Sequence, residues 1–159
     1  MRLDGEWFNE LGSKMVLRVD GPSISGTYHT AVGNASGEYA LVGRADTPRE
    51  TSQSVGFVVS WQNEYQSADS LTAWSGQLQV IDGEEMIVTT WLLTIETAPG
   101  EDWKSTMVGR DVFKRNPTPA AKIEKNTPSA VPSSRSGSEG KDMTAGTRVH
   151  AAPWRTEIW

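Results

Sequence analysis

Apolar and polar residues alternate in short runs along residues 1–116, and no stretch keeps a helical period over a helix length. The runs are rich in Val, Ile, Thr and aromatic residues. They are broken by turn signals at Asp20-Gly21-Pro22, Gly33-Asn34, Asp46-Thr47-Pro48, Asp82-Gly83 and Pro99-Gly100. This pattern predicts strands near residues 6–11, 14–20, 23–30, 38–45, 54–61, 70–80, 86–96 and 105–114. Asp82-Gly83, set between two alternating runs, predicts a tight hairpin. Residues 99–104 leave room for one helical turn. Eight successive strands with mostly short connections predict an all-β fold: an eight-stranded antiparallel up-and-down β-barrel, with a sandwich as the alternative.

The alternation stops near Asn116, which sets the expected organisation as a barrel domain over 1–116 and a tail over 117–159. Of the tail's 43 residues, 24 are Pro, Ser, Thr, Ala or Gly and only seven are large and apolar. So little apolar surface cannot offset the entropy of ordering, and the tail is expected to be mostly disordered and flexible. Its last seven residues, Pro-Trp-Arg-Thr-Glu-Ile-Trp, break the pattern with Trp154 and Trp159.

Residues two apart in a strand share a face. Phe57, Val59 and Trp61 therefore lie together, as do Ser70, Thr72 and Trp74, and Trp91, Leu93 and Ile95. By the same parity Asn9, Leu11 and Ser13 form one set, and Tyr28, Thr30 and Val32 another. Aromatic faces turn inward because exposing them to water is costly. The expected interior thus mixes indole rings with hydroxyl and amide groups, each needing a partner once buried. Apolar walls with a few placed polar groups line ligand cavities, although Trp inside a barrel is also an ordinary core residue. Parity by itself leaves both readings open.

Composition removes several classes of function. There is no cysteine, hence no disulfide, thiolate metal site or Cys nucleophile. The two histidines, His29 and His150, are too few and too far apart for most His-based metal or catalytic schemes. A net charge of −5 argues against binding nucleic acid through its phosphates. No apolar run reaches the ~18 residues of a membrane helix, so no membrane partner is expected. Seven Trp in 159 residues is the number out of line.

Six blocks in order carry a resemblance: Gly5-Glu-Trp-Phe-Asn-Glu-Leu-Gly-Ser13, Gly26-Thr-Tyr-His-Thr-Ala-Val-Gly-Asn34, Trp61-Gln-Asn, Trp74-Ser-Gly-Gln77, Thr90-Trp-Leu-Leu-Thr94 and Trp103-Lys-Ser-Thr-Met-Val-Gly-Arg-Asp111. Together they resemble the avidin/streptavidin family of biotin-binding proteins, most closely its bacterial streptavidin-like members, across about residues 5–115. The resemblance implies non-catalytic, high-affinity binding of biotin in the barrel cavity, with biotin as ligand and no catalytic cofactor or metal. It implies that Asn9, Ser13 and Tyr28 donate to the ureido oxygen, while Asp111 and Thr30 accept from the two ureido N–H groups. Thr72 would lie against the thiophane sulfur. Ser70 and the backbone at Asn34 would meet the valeryl carboxylate. Trp61, Trp74 and Trp91 would form walls, with Leu11, Val32, Ala68 and Leu93 between them.

Trp103 matches a residue that caps the ligand of a neighbouring subunit in tetrameric members, which implies a homotetramer or at least a dimer. Arg110 stands where streptavidin has a His at a subunit interface, and Ala45 interrupts the family's Arg-Tyr-Asp triplet. The glycine-rich segment 33–37 would act as a lid. Some bacterial members place their own C-terminal segment in a neighbour's site, so the two tail Trp raise the expectation of self-occupancy. A same-fold binder of another small molecule is the alternative function. Hydrolysis by Ser13, Tyr28 and Asp111 lacks a general base, because His29 has the parity opposite to Tyr28 and is expected to point outward. The first residues carry no leader, so the compartment stays open; the secreted members of the family lean the expectation toward an extracellular one.

Overall fold

A computed structural model of the chain describes residues 2–31, 37–62, 69–120 and 122–123. Eight strands follow in chain order: β1 (Gly5–Phe8), β2 (Lys14–Asp20), β3 (Ser23–His29), β4 (Glu38–Ala45), β5 (Ser52–Trp61), β6 (Ser70–Ile81), β7 (Glu84–Ile95) and β8 (Thr106–Lys114). Each strand pairs antiparallel with the next, and β8 returns to β1 to close the barrel. Closure joins the first and last strands, which a two-sheet sandwich would leave apart. The β6–β7 hairpin turns on Asp82 and Gly83, both left-handed at φ 52° and 81°. That is the conformation an Asp-Gly pair adopts in a two-residue turn whose twist suits the flanking strands. A 3-10 turn over Asp102–Lys104 fills the helical room expected between β7 and β8.

One boundary differs from the expectation. β1 stops at Phe8 rather than running to residue 11. The cause is Asn9, whose Oδ1 accepts the N–H of Leu11 at 3.1 Å and of Ser13 at 2.8 Å. A side chain that bonds its own downstream backbone competes with the ladder and bends the chain into a turn. Gly12, at φ 85°, completes that turn.

The two ends of the barrel differ in chemistry. One end is stopped by Trp7, Met15, Leu17, Leu78, Ile87 and Phe113, all fully buried. The Arg115 guanidinium lies over the Trp7 ring at 3.7 Å, donates to the carbonyls of Asp4 and Arg2, and reaches Glu85 at 3.2 Å. The Trp7 indole donates to the Leu3 carbonyl at 2.8 Å. At the other rim, where β1, β3, β5 and β7 end, the inward residues turn polar. Asn9, Ser13, Thr72 and Asp111 are all buried there or just below it.

Inward position 76 must be glycine for a packing reason. A Cβ there would overlap the Val88 carbonyl oxygen and lie 2.7 Å from Thr89 Cα, so the clash is with β7 backbone rather than a movable side chain. Gly76→Ala is expected to lower unfolding free energy by on the order of 3 kcal/mol, the upper range for overpacking a closed core. Thermal unfolding followed by circular dichroism checks it, and an unchanged Tm would contradict the pairing of Gly76 with Thr89 across β6 and β7.

Candidate ligand-binding site

The polar rim is organised around one carboxylate. Asp111 sits on β8 beside Thr89 of β7, with its side chain inward and 6% exposed. Trp74 donates its indole N–H to Asp111 Oδ2 at 2.8 Å. The side chains of Asn9 and Trp91 also favour the charged form of this carboxylate. The orientation of Asn9 follows from its neighbours: its Oδ1 already accepts two backbone N–H groups, so its amide N–H is the end left to face Asp111. The Ser13 hydroxyl accepts the Ala31 N–H at 3.0 Å and works against the rise in the Tyr28 pKa. Six side chains, from β1's exit turn, β3, β6, β7 and β8, thereby gather in one part of the barrel.

Rings wall this cluster. Phe57, Trp74 and Tyr28 form a stack with centroids 5.1 and 5.3 Å apart and interplanar angles of 21° and 26°. Trp61 stands edge-on to Tyr28 at 5.5 Å and to Tyr39 at 5.0 Å. Its indole N–H is fixed by Thr72 Oγ1 at 2.7 Å, and the Tyr39 hydroxyl donates to the Gln62 carbonyl at 3.1 Å. Each ring pair adds roughly 0.5–1.5 kcal/mol beyond its buried area, enough to hold the walls before any ligand arrives. Tyr39 is a rim aromatic that strand parity alone does not single out.

Burial sets the protonation states. Asp111 is pushed up to about 7, by burial first and the nearby Glu10 carboxylate second, with the N–H groups of Trp74, Asn9 and Trp91 working the other way. Glu10 is itself raised by burial, although its Oε2 accepts the Val112 N–H at 3.1 Å. Burial, and then the charge of Asp111, raise Tyr28 well above the usual phenol range, so its hydroxyl keeps its proton and remains a donor. His29 turns outward to pair with Glu38 at 2.7 Å. Among the described residues no three His, Asp or Glu side chains are grouped as metal ligands.

Likeness to known proteins runs across the same barrel. Residues 1–116 match the avidin family. Avidin of Gallus gallus is 36% identical over 121 residues, spanning 71% of this chain and 77% of that protein. Avidin-related protein 4/5 of the same bird is 34% identical over 119 residues, again 71% and 77%. Fibropellin-1 of Strongylocentrotus purpuratus is 34% identical over 118 residues, which is 71% of this chain but only 11% of that protein. This chain belongs to the avidin family. That places it among non-catalytic binding proteins.

Within this avidin-family barrel, the structure brings together Asn9, Ser13, Tyr28, Trp61, Thr72, Trp74, Trp91 and Asp111. Leu11 lies half-buried in the β1–β2 turn, and Thr30 and Ser70 are half-buried at the same rim. Leu93 packs against the core cluster. Val32, Asn34 and Ala68 lie outside the described residues, as do most of the segment expected to form a lid and the tail's Trp154 and Trp159. Trp103 does not fold back onto its own barrel: it sits on the 3-10 turn at the open rim, 72% exposed. Glu10 is a member of the site that the sequence does not reveal. Its place between Asn9 and Leu11 gives it outward parity, and no local signal marks it as a neighbour of residues 111 and 112.

Because Asp111 binds its proton more tightly folded than unfolded, the stability it contributes is fully present below its ordinary value of 3.8 and is lost as pH rises through about 7. Without ligand, unfolding free energy is expected to fall by on the order of 4 kcal/mol from this group between pH 4 and 8. Asp111→Asn should flatten that part of the profile, measured by denaturant titration across pH; an unaltered slope would remove Asp111 as its source.

Proposed function

We propose that this protein is a non-catalytic, high-affinity binder of biotin, taken up through the polar rim. The observation that carries the reading is the buried set of Asn9, Ser13, Tyr28 and Asp111, walled by Trp, in a barrel of the avidin family. A fused ureido ring offers one carbonyl acceptor and two N–H donors. Three neutral donors suit the carbonyl, and a carboxylate with Thr30 suits the N–H groups. Holding donors and acceptor in place within a water-poor site means little reorganisation on binding. Thr72, Ser70 and Asn34 would serve the thiophane sulfur and the valeryl carboxylate, and Leu11, Val32, Ala68 and Leu93 would fill between the indoles.

The test is titration of denatured-and-refolded protein with biotin, following Trp fluorescence. Saturable quenching at one biotin per chain is expected, with Asp111→Ala binding roughly 10–100-fold more weakly through loss of a charge-assisted bond. Absence of quenching both in the refolded full chain and in a chain ending at Asn116 would sink the biotin reading and leave a barrel for another small ligand.

The protein is also read as a homotetramer, with a dimer as the lesser form. Support comes from the outer surface, where Val42, Val58, Ala73, Leu92 and Val108 follow one line of register across β4 to β8. Val42, Leu92 and Val108 are 57%, 50% and 67% exposed. A contiguous apolar strip rimmed by polar residues marks an association surface. The exposed Trp103 indole at the rim would find cover over a neighbour's ligand. Leu92→Arg is expected to lower the mass seen in light scattering after size exclusion; a wild-type mass of one chain would end this reading.

A further inference from the structure

The chain does not leave the barrel at the end of β8. Thr118 donates its hydroxyl to the Asn9 carbonyl at 2.7 Å. Just beyond, the N–H groups of Lys122 and Ile123 both close onto the Pro119 carbonyl, at 2.8 and 3.1 Å. That short turn carries the Ile123 side chain onto the β1–β2 turn, its Cδ1 only 2.8 Å from where a Cβ on Gly12 would stand. Gly12 is therefore needed twice, for its positive φ and for the space Ile123 takes. The charge of Lys122 falls near Glu10.

These contacts converge on residues that hold the site. The Asn9 carbonyl bonded by Thr118 also accepts the Gly12 N–H at 3.1 Å, and the Asn9 N–H donates to the Ser13 carbonyl at 3.0 Å. Gly12, against which Ile123 packs, directly precedes Ser13, whose hydroxyl accepts the Ala31 N–H. The same region is where the barrel is most thinly closed. β1 and β8 share a single register pair, Phe8 with Lys114, and at the next position the Glu10 carboxylate takes the Val112 N–H in place of a backbone carbonyl. Asn9 and Asp111, partners in the site, face each other across this seam.

We infer that residues 117–120 and 122–123 form a strap that positions Asn9 and Ser13 for the ligand by clamping the β1–β2 turn against β8, with Thr118 and Ile123 as its positioning residues. The inference rests on the binding reading above for its consequence, and on the strap's own contacts for its geometry. A neutral hydrogen bond is individually modest. It acts here on a turn with few other ties to β8, so its loss frees Asn9 and Ser13 without opening the plugged end of the barrel.

The experiment compares full-length wild type, Thr118→Val, Thr118→Ser and Ile123→Ser by three readings: the rate at which bound labelled biotin is lost into excess unlabelled biotin, residue-resolved amide exchange without biotin, and Tm. Thr118→Val is expected to lose biotin about tenfold faster and to exchange faster at Gly12, Ser13 and Ala31, with little change in Tm. Ile123→Ser should act in the same direction, and Thr118→Ser should restore wild-type behaviour because the donor returns. Unchanged exchange at these amides in both Thr118→Val and Ile123→Ser would overturn the strap. So would faster exchange spread evenly over β6 and β7 with a fallen Tm, which is the mark of general destabilisation. If the wild-type protein holds no biotin, the ligand reading fails by itself, and localised exchange still decides whether the strap clamps the turn.

Discussion

A carboxylate turned into the interior of a small barrel is the constraint on which this structure depends. Asp111 is 6% exposed and is raised to about 7 by that burial and by Glu10. Its charged form is favoured by groups brought to it from distant parts of the chain: the Trp74 indole on β6, which donates to it, and the side chains of Trp91 on β7 and Asn9 after β1. Each donor is in turn held by something else. Trp74 is stacked between Phe57 and Tyr28, and Asn9 has its side-chain carbonyl committed to the turn it forms. The polar site and the aromatic walls are therefore one construction. Losing a wall residue would also loosen a donor.

Stability and binding are divided between the ends of the barrel. The stopped end buries Trp7, Met15, Leu78, Ile87 and Phe113, with the Arg115 guanidinium laid across Trp7. It has the apolar packing of an ordinary core, whose burial drives folding. The rim end gives up apolar area for Asn9, Ser13, Thr72 and Asp111, each bonded to a protein partner. Polar groups that are already paired and fixed cost little to reorganise on meeting a ligand, while the closed end supplies the rigidity that keeps them in place.

The β1–β8 seam ties these features to chain order. An up-and-down barrel must join its first and last strands, and here that junction is a single register pair helped by the Glu10 carboxylate and by the segment after β8. Placing site residues on both sides of the thinnest closure makes the geometry of the site sensitive to whatever holds the seam. Outside the barrel, the line from Val42 to Val108 and the exposed Trp103 indole are apolar surface that the monomer leaves in water. This is why oligomerisation and ligand capping are read together.

Much of this was legible in the sequence, because strand alternation and turn chemistry are local. The Asp82-Gly83 hairpin, the eight strands and the inward parity of Trp61, Trp74 and Trp91 needed no knowledge of distant residues. The family resemblance added Asn9, Ser13, Tyr28 and Asp111 as a set, since six spaced blocks in register are far more specific than any one of them. What stayed hidden depends on pairs far apart in sequence. The nearness of Glu10 to Asp111, and the reach of Thr118 to Asn9, exist only because β8 closes onto β1. The sequence by itself determined which residues face inward, a consequence of the two-residue period of a strand. Only the tertiary structure decided which of them meet across the seam and what burial does to their charge, because both follow from barrel closure rather than from any local pattern.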